Sequence, residues 1–360
     1  MLWSLPDGID TPALVIDLDT LSANIDSMAS QMLAIGVALR PHVKTHKSPQ
    51  IARMQINAGG RGVTVASLGE AEVFAASGFD DIFIAYPLYP AGSKASRLRA
   101  LAGGMRLSVG VDSIDAARAL AGAVPAPDCL TVLIELDSGQ HRSGVAPEAA
   151  VDLALRCGEL GLDVGGVFTH GGHSYRPSAA AAAAADESRT LDLAVEYLAA
   201  AGVTAPTVSA GSTPTAIASA VGRVTEERPG TYVFNDRQQL ALGTAKPRDV
   251  AVAVAATVVS TAVGGQAVID AGSKALASDR PDWLSGHGAV PELGDATVAA
   301  LSECHGMVRL GAQPTPAIGT VVRVVPNHIC TAVNLFDYYE VVSGGQLVDR
   351  WPIAARGHLS

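Results

Sequence analysis

From about residue 11 to residue 240 the chain alternates short apolar runs with stretches whose apolar residues recur at helical spacing. That alternation is the pattern of βαβ units. Strands are expected at Ala13–Asp17, Leu39–Val43, Gly62–Ala66, Asp81–Ala85, Arg106–Val111, Thr131–Leu136, Val164–Thr169 and Thr207–Ser209, with a ninth run at Thr231–Phe234. Leaving out the Thr231 run gives eight strands, the number that closes a parallel barrel. Helices are expected between them, for instance at Leu21–Val37, Ser67–Ala76, Ser113–Ala121 and Pro147–Leu160. Ala179–Ala185, a run of seven alanines leading into Asp186-Glu187-Ser188-Arg189, reads as a helix start and not a linker. After Gly243 the period drops to two in Asp249–Ser260, Gln266–Asp270, Gly319–Val325, Tyr338–Val342 and Gln346–Ile353, separated by glycine and proline turns. The expected fold is α/β: a (β/α)8 TIM-like barrel over residues 10–243, then a mostly antiparallel β domain over residues 244–360 joined by residues 1–9.

Composition narrows the function classes. The chain has 360 residues, 48% of them hydrophobic, enough for one large barrel and a second domain. A net charge of −10 argues against nucleic-acid binding, which needs a basic face to neutralise phosphates. No apolar run reaches the roughly 20 residues that span a bilayer, and Met1–Gly8 has neither the basic nor the apolar region of a signal peptide. A cytoplasmic protein with no membrane partner is expected. The four cysteines, Cys129, Cys157, Cys304 and Cys330, are irregularly spaced, and no disulfide is expected. Cys129 and Cys157 read as small buried hydrophobes.

The candidate chemistry begins at Arg40-Pro41-His42-Val43-Lys44-Thr45-His46-Lys47-Ser48. It follows the first strand and helix, so Lys44 falls at the carboxyl end of the second strand, where such barrels react. A lysine there is suited to forming an imine with an aldehyde if its amine is neutral part of the time, and Arg40, His42, His46 and Lys47 supply positive crowding. A surface basic patch accounts for these residues equally well. Ala210-Gly211-Ser212-Thr213 ends a strand with small residues and hydroxyls that could approach an anion, or serve as an ordinary helix cap. His170-Gly171-Gly172-His173-Ser174-Tyr175 offers acid–base groups, or hydrogen-bonded loop residues. In His328-Ile329-Cys330, residues two apart on an extended chain point to one side, so imidazole and thiolate could share a zinc-compatible cation.

Taken in order, the Lys44 tract, Asp137–Val145, Thr169–Tyr175, Ser209–Thr215 and Pro326–Cys330 resemble the fold-type-III pyridoxal-phosphate enzymes, the alanine-racemase-like barrel, and within them the D-serine dehydratase and D-threonine aldolase family. The resemblance implies that Lys44 holds pyridoxal 5'-phosphate, that Arg142 and Gln140 lie near its ring oxygen, and that Gly211, Ser212 and Thr213 hold its phosphate. It implies that Tyr232 reaches the cofactor from the far side and that Tyr175 serves both catalysis and cofactor; His173 is a catalytic candidate from its own loop, at a position where some relatives carry other residues. It implies a divalent metal on His328 and Cys330, zinc before manganese or magnesium; Cys304 in Ser302-Glu303-Cys304-His305-Gly306 is a further candidate. The expected substrate is a D-3-hydroxy amino acid. Cys330 points to β-elimination, as in D-serine dehydratase, because in the family His-x-Asp accompanies the retro-aldol enzymes. The alternative is D-threonine aldolase-type retro-aldol cleavage to glycine and an aldehyde; an amino-acid racemase or a non-catalytic cofactor carrier on the same barrel is a further reading, less favoured. The lysine and the metal pair can act together only if a β domain covers a barrel mouth, which in this fold type a second subunit often supplies, so a homodimer is expected.

Overall fold

The computed structural model describes residues 3–124 and 129–360; the first two residues of the expected N-terminal contribution lie outside them. It divides into two compact units, one of Met1–Asp26, Thr45–Gln50 and Thr231–Arg356, the other of Ser27–Lys44, Ile51–Gly230 and Gly357–Ser360. The dividing lines therefore differ from the expected boundary at residue 243. The chain passes from one unit to the other directly after Lys44.

The larger unit is an eight-stranded parallel sheet. Its strands run in the spatial order Ala38–Leu39, Glu226–Glu227, Thr207–Ala210, Asp163–Phe168, Thr131–Glu135, Arg106–Val111, Asp81–Pro87 and Val63–Val65. A backbone bridge between His42 and Thr64 joins the first of these to the last. The expected α/β barrel is thus present, with two changes to its strands. Ala13–Asp17 leaves for the other unit, and the eighth strand is the charged pair Glu226–Glu227. Two glutamates and an arginine do not read as a strand, yet both glutamates are buried. Thr231–Phe234 is not a strand either, because Thr231–Val233 forms a 3-10 turn.

The helices follow from local chemistry. Ser67 and Ser113 accept the third N–H of Leu68–Ala76 and of Ile114–Ala123, taking up donors that a helix start leaves free. The alanine run does begin a helix, Ala180–Ala200. Inside the barrel Phe83, Leu133 and Phe168 form the core, the two rings meeting edge to face at 5.1 Å.

The smaller unit is mostly antiparallel. Val252–Ser260, Gln266–Ile269, Gly306–Arg309, Thr297–Leu301, Gly288–Ala289 and Val321–Pro326 pair in a closed ring, the last returning to the first. Closure leaves those strands without an edge. Ala13–Asp17 pairs antiparallel with Val252–Ser260 and parallel with Tyr338–Ser343, which carries Gln346–Pro352 outside it. All five residues of Ala13–Asp17 are buried, since the strand is flanked on both sides. Trp3, Leu5 and Ile9 pack on the core formed by Ala13, Val15, Ala255 and Val342.

Candidate active site

Lys44 lies in the one-turn 3-10 helix Val43–Thr45, just past the strand Ala38–Leu39. The strand stops early because Pro41 has no N–H to offer, while its carbonyl accepts Thr64 N at 2.9 Å. Lys44 is therefore at the carboxyl end of the first barrel strand, not the second, since Ala13–Asp17 is elsewhere.

The expected positive crowding takes a different form. Arg40 is neutralised by Asp81 at 2.5 Å and Glu226 at 2.6 Å. His42 is held neutral, its pKa well below the usual histidine value through burial and then through Lys44, Arg228 and His170. His170 is lowered to about 3, by burial and then by Lys44 and Arg142. His46 and Lys47 belong to the other unit. Arg228 adds a buried cation to this cluster, lying across the Phe83 and Phe168 rings and donating to Ser209 Oγ and the Thr169 carbonyl, each at 2.5 Å. Lys44 is thus accompanied by two uncharged imidazoles, and His42 Nδ1 is buried with no hydrogen-bond partner in the chain.

Gly211 has φ +102° and its N–H donates to Glu187 Oε1 at 3.0 Å; Gly171 N donates to the same oxygen at 2.8 Å. One buried carboxylate thereby ties the Gly171 loop to the Gly211 turn. Glu227 backs the same turn, and burial followed by Glu187 raises its pKa well above the ordinary carboxyl value. Ser212 N is taken by Thr215 Oγ1, and the hydroxyl of Ser212 lies 3.0 Å from those of both Ser174 and Thr215. Two backbone donors of the expected phosphate turn are therefore already used inside the chain. What faces an anion here is a cluster of rotatable hydroxyls, which donate wherever an acceptor sits. Pyridoxal phosphate fits this set: a lysine, an unpaired imidazole nitrogen, a hydroxyl cluster, and a glycine that no side chain could replace. A Cβ on Gly211 would fall 1.9 Å from Glu227 Oε2. Gly211→Ala is expected to cost about 1–3 kcal/mol from backbone strain alone and to weaken cofactor retention. Urea unfolding beside Gly104→Ala, where a Cβ meets open space, checks it.

Of the other expected residues in this unit, Gln140 packs its amide where a Gly172 side chain would be, 2.3 Å from the position of a Cβ. Arg142 is exposed, with Nη2 3.6 Å from Glu135 Oε1. His173 Nε2 lies 3.3 Å from Asp186 Oδ2, its ring against Gly139, and Tyr175 closes the 3-10 turn Gly172–Ser174. Thr213 follows Ser212 and is partly buried. Tyr232 is buried in the other unit, in the Thr231–Val233 turn.

His328 and Cys330 belong to that smaller unit. His328 has extended backbone, but Cys330 sits in the first turn of the helix Ile329–Val333, so the extended-chain argument for their pairing does not apply. They meet across a helix start. Burial works against the charge on His328, but the Cys330 thiolate and the Asp236 carboxylate hold its pKa well above the usual value. Cys330 Sγ lies 3.3 Å from Thr45 Oγ1 and 3.9 Å from Thr231 Oγ1. Asn327, buried, donates its amide to the carbonyls of Asp279 and Gly286 and pins the segment. An imidazole–thiolate pair suits zinc, and the donor set fits a divalent cation. Among the described residues no group of three or more His, Cys, Asp or Glu is placed to hold a metal. Cys304 is exposed, on the turn whose Ser302 and Glu303 carbonyls accept from Ser273 and Lys274.

The residues that sequence reasoning missed are Glu187, Glu227, Arg228 and Asp236. The one available signal was the run Glu226-Glu227-Arg228 between apolar strands.

Residues 16–238 match the alanine racemase N-terminal domain, and residues 251–342 the serine dehydratase domain. The chain is 39% identical to the D-threo-3-hydroxyaspartate dehydratase of Delftia sp. (strain HT23), over 95% of this chain and 97% of that one. It is 34% identical to a D-threonine aldolase of Arthrobacter sp. (97% and 93%) and 29% identical to the D-serine dehydratase of Dictyostelium discoideum (94% and 94%). The solved structure of the Delftia enzyme superposes with a TM-score of 0.87 over 96% of this chain and 97% of that one, and one solved form is a cysteine-to-alanine mutant described as metal-free. No helix of the described residues is long and apolar enough to cross a membrane.

Proposed function

Because this chain belongs to the pyridoxal-phosphate-dependent family of alanine-racemase-like lyases that includes these dehydratases and aldolases, we propose that it is a metal-dependent lyase of D-3-hydroxy amino acids that works by β-elimination. The observation that carries the reading is the His328–Cys330 pair, an imidazole and a sulfur that meet at the start of the helix Ile329–Val333.

When bound, pyridoxal phosphate supplies an electron sink for charge developing at the substrate Cα, and a divalent cation supplies Lewis acidity at the β-hydroxyl. Lys44 would hold the cofactor, and its amine, when free of the cofactor, would take the substrate α-proton on Nζ. The β-hydroxyl then departs from Cβ, and the dehydrated enamine hydrolyses to keto acid and ammonia. Neutral His42 and His170 keep the surroundings of Lys44 from adding further positive charge at ordinary pH. Ser212, Ser174 and Thr215 hold the phosphate through their hydroxyls, with Gly211 and Thr213 shaping the turn. Gln140, Arg142, Tyr175 and Tyr232 are assigned to cofactor contacts, and His173 to acid–base work on the substrate. His328 Nε2 and Cys330 Sγ hold the cation, with zinc the best match to the thiolate and manganese or magnesium the harder alternatives. The reading includes a cytoplasmic homodimer, which light scattering on the eluting protein would test.

The test is a product assay on D-threo-3-hydroxyaspartate, D-serine and D-threonine. Keto acid and ammonia from the first two, faster than glycine and aldehyde from the third, is the expected result. The reverse order would replace elimination with retro-aldol cleavage, the activity in the name of the Arthrobacter relative. Cys330→Asp is expected to weaken zinc relative to manganese, since oxygen replaces sulfur, and to lower keto-acid formation. Unchanged metal preference in that variant would remove Cys330 from the cation.

A further inference from the structure

Asp236 is fully buried, and each of its oxygens is engaged. Oδ1 accepts Gln239 N at 2.9 Å and so caps the helix Arg237–Leu242. Oδ2 accepts Ile329 N at 3.2 Å, the first N–H of the helix that His328 begins, and lies 3.2 Å from His328 Nδ1. A buried carboxylate is tolerated only when hydrogen-bond donors surround it. The third of these contacts is favourable only if Nδ1 carries a proton. We propose that Asp236 is a positioning residue for the metal site: it holds the His328 proton on Nδ1, fixes the ring plane, and so turns the Nε2 lone pair towards the cation.

This inference rests on the reading of His328 and Cys330 as ligands. The plainer role, capping two helix starts, predicts a different outcome for one substitution. Asparagine caps a helix as well as aspartate does. Its side chain, however, has one acceptor and one donor. With the oxygen kept on Gln239 N, the amide N–H2 faces His328 Nδ1 and Ile329 N, favouring the tautomer protonated on Nε2, which cannot ligate.

The experiment uses full-length protein loaded with pyridoxal phosphate, stripped of metal and titrated with zinc alone against a chromogenic chelator. Asp236→Asn is expected to raise the zinc Kd about 10- to 100-fold, the usual effect of removing a carboxylate behind a ligating histidine. The visible cofactor absorbance should stay near wild type; the melting temperature should fall through loss of the Ile329 N–H acceptor, a change that a purely structural role predicts with no change in zinc affinity. A folded Asp236→Asn protein that binds zinc as wild type does overturns the proposal and leaves the lyase reading standing. If wild-type zinc binding is itself untouched by His328→Ala, the ligand assignment fails, and this inference with it. Should Asp236→Asn not fold, the wild-type protein decides. In zinc-loaded, 15N-histidine-labelled enzyme, His328 ligated through Nε2 with Nδ1 protonated supports the proposal, and ligation through Nδ1 overturns it.

Discussion

Lys44→Ala should leave a folded, colourless protein with turnover lowered by at least about 10³-fold, the scale of a lost nucleophile and proton-transfer group. The side chain leaves a short 3-10 turn and takes no part in the Phe83–Leu133–Phe168 core, so the barrel core should pack without it. Its removal also takes away a positive neighbour of His42 and His170, whose pKa values should rise towards the ordinary histidine value while burial still holds them down. Absorbance spectra with added pyridoxal phosphate, together with ammonia release, give the result. A variant that keeps the wild-type visible band would assign the cofactor to another lysine. Lys47 donates to the Ala355 carbonyl, and Lys274 is paired with Glu303 at the surface, so each is already committed elsewhere.

His328→Ala should separate the two halves of the chemistry. Losing a Lewis acid from a poor leaving group removes several kcal/mol of transition-state stabilisation, on the order of a 10³-fold fall in elimination. The cofactor contacts proposed here lie on Lys44 and the hydroxyl cluster, so the visible band should persist at wild-type intensity. Chelator treatment of the wild-type enzyme should reproduce the loss and zinc should reverse it, whereas zinc should not restore His328→Ala. Full activity in chelated, metal-free protein would remove the cation from the reaction.

Much of this was legible in the sequence, for reasons particular residues make plain. Periodicity is a local signal, and it located the barrel strands from Gly62 to Ser209 to within a few residues because each is a continuous apolar run between helices. It could not assign Ala13–Asp17 to a sheet, because a strand buried on both sides looks the same in either one. Glu226–Glu227 was invisible to it. That strand is polar, two residues long, and stabilised by Ser209 and Ser219 from the preceding strand and helix and by Arg40 from a distant part of the chain. The motifs pointed to Lys44, His328 and Cys330, while Arg228 beside His42, Glu187 between the Gly171 and Gly211 turns, and Asp236 behind His328 act through contacts that spacing does not encode. His42 and His170 show the limit most clearly: a histidine beside a lysine suggests positive charge, and only burial reveals that both are neutral.

The smaller unit is assembled from three stretches of chain, and its sheet places Ala13–Asp17 between Val252–Ser260 and Tyr338–Ser343. During synthesis the first strand must therefore wait until nearly the whole polypeptide has left the ribosome before both its neighbours exist. Contacts so distant in sequence are slow to form, and four of the five residues of the waiting strand are apolar. A gene divided between the barrel and the later β strands would thus not yield two self-sufficient halves. The amino-terminal product would carry an unsatisfied strand and the Thr45–Gln50 segment, and the carboxyl-terminal product would lack both. Complementation from two fragments should succeed only when they are made together.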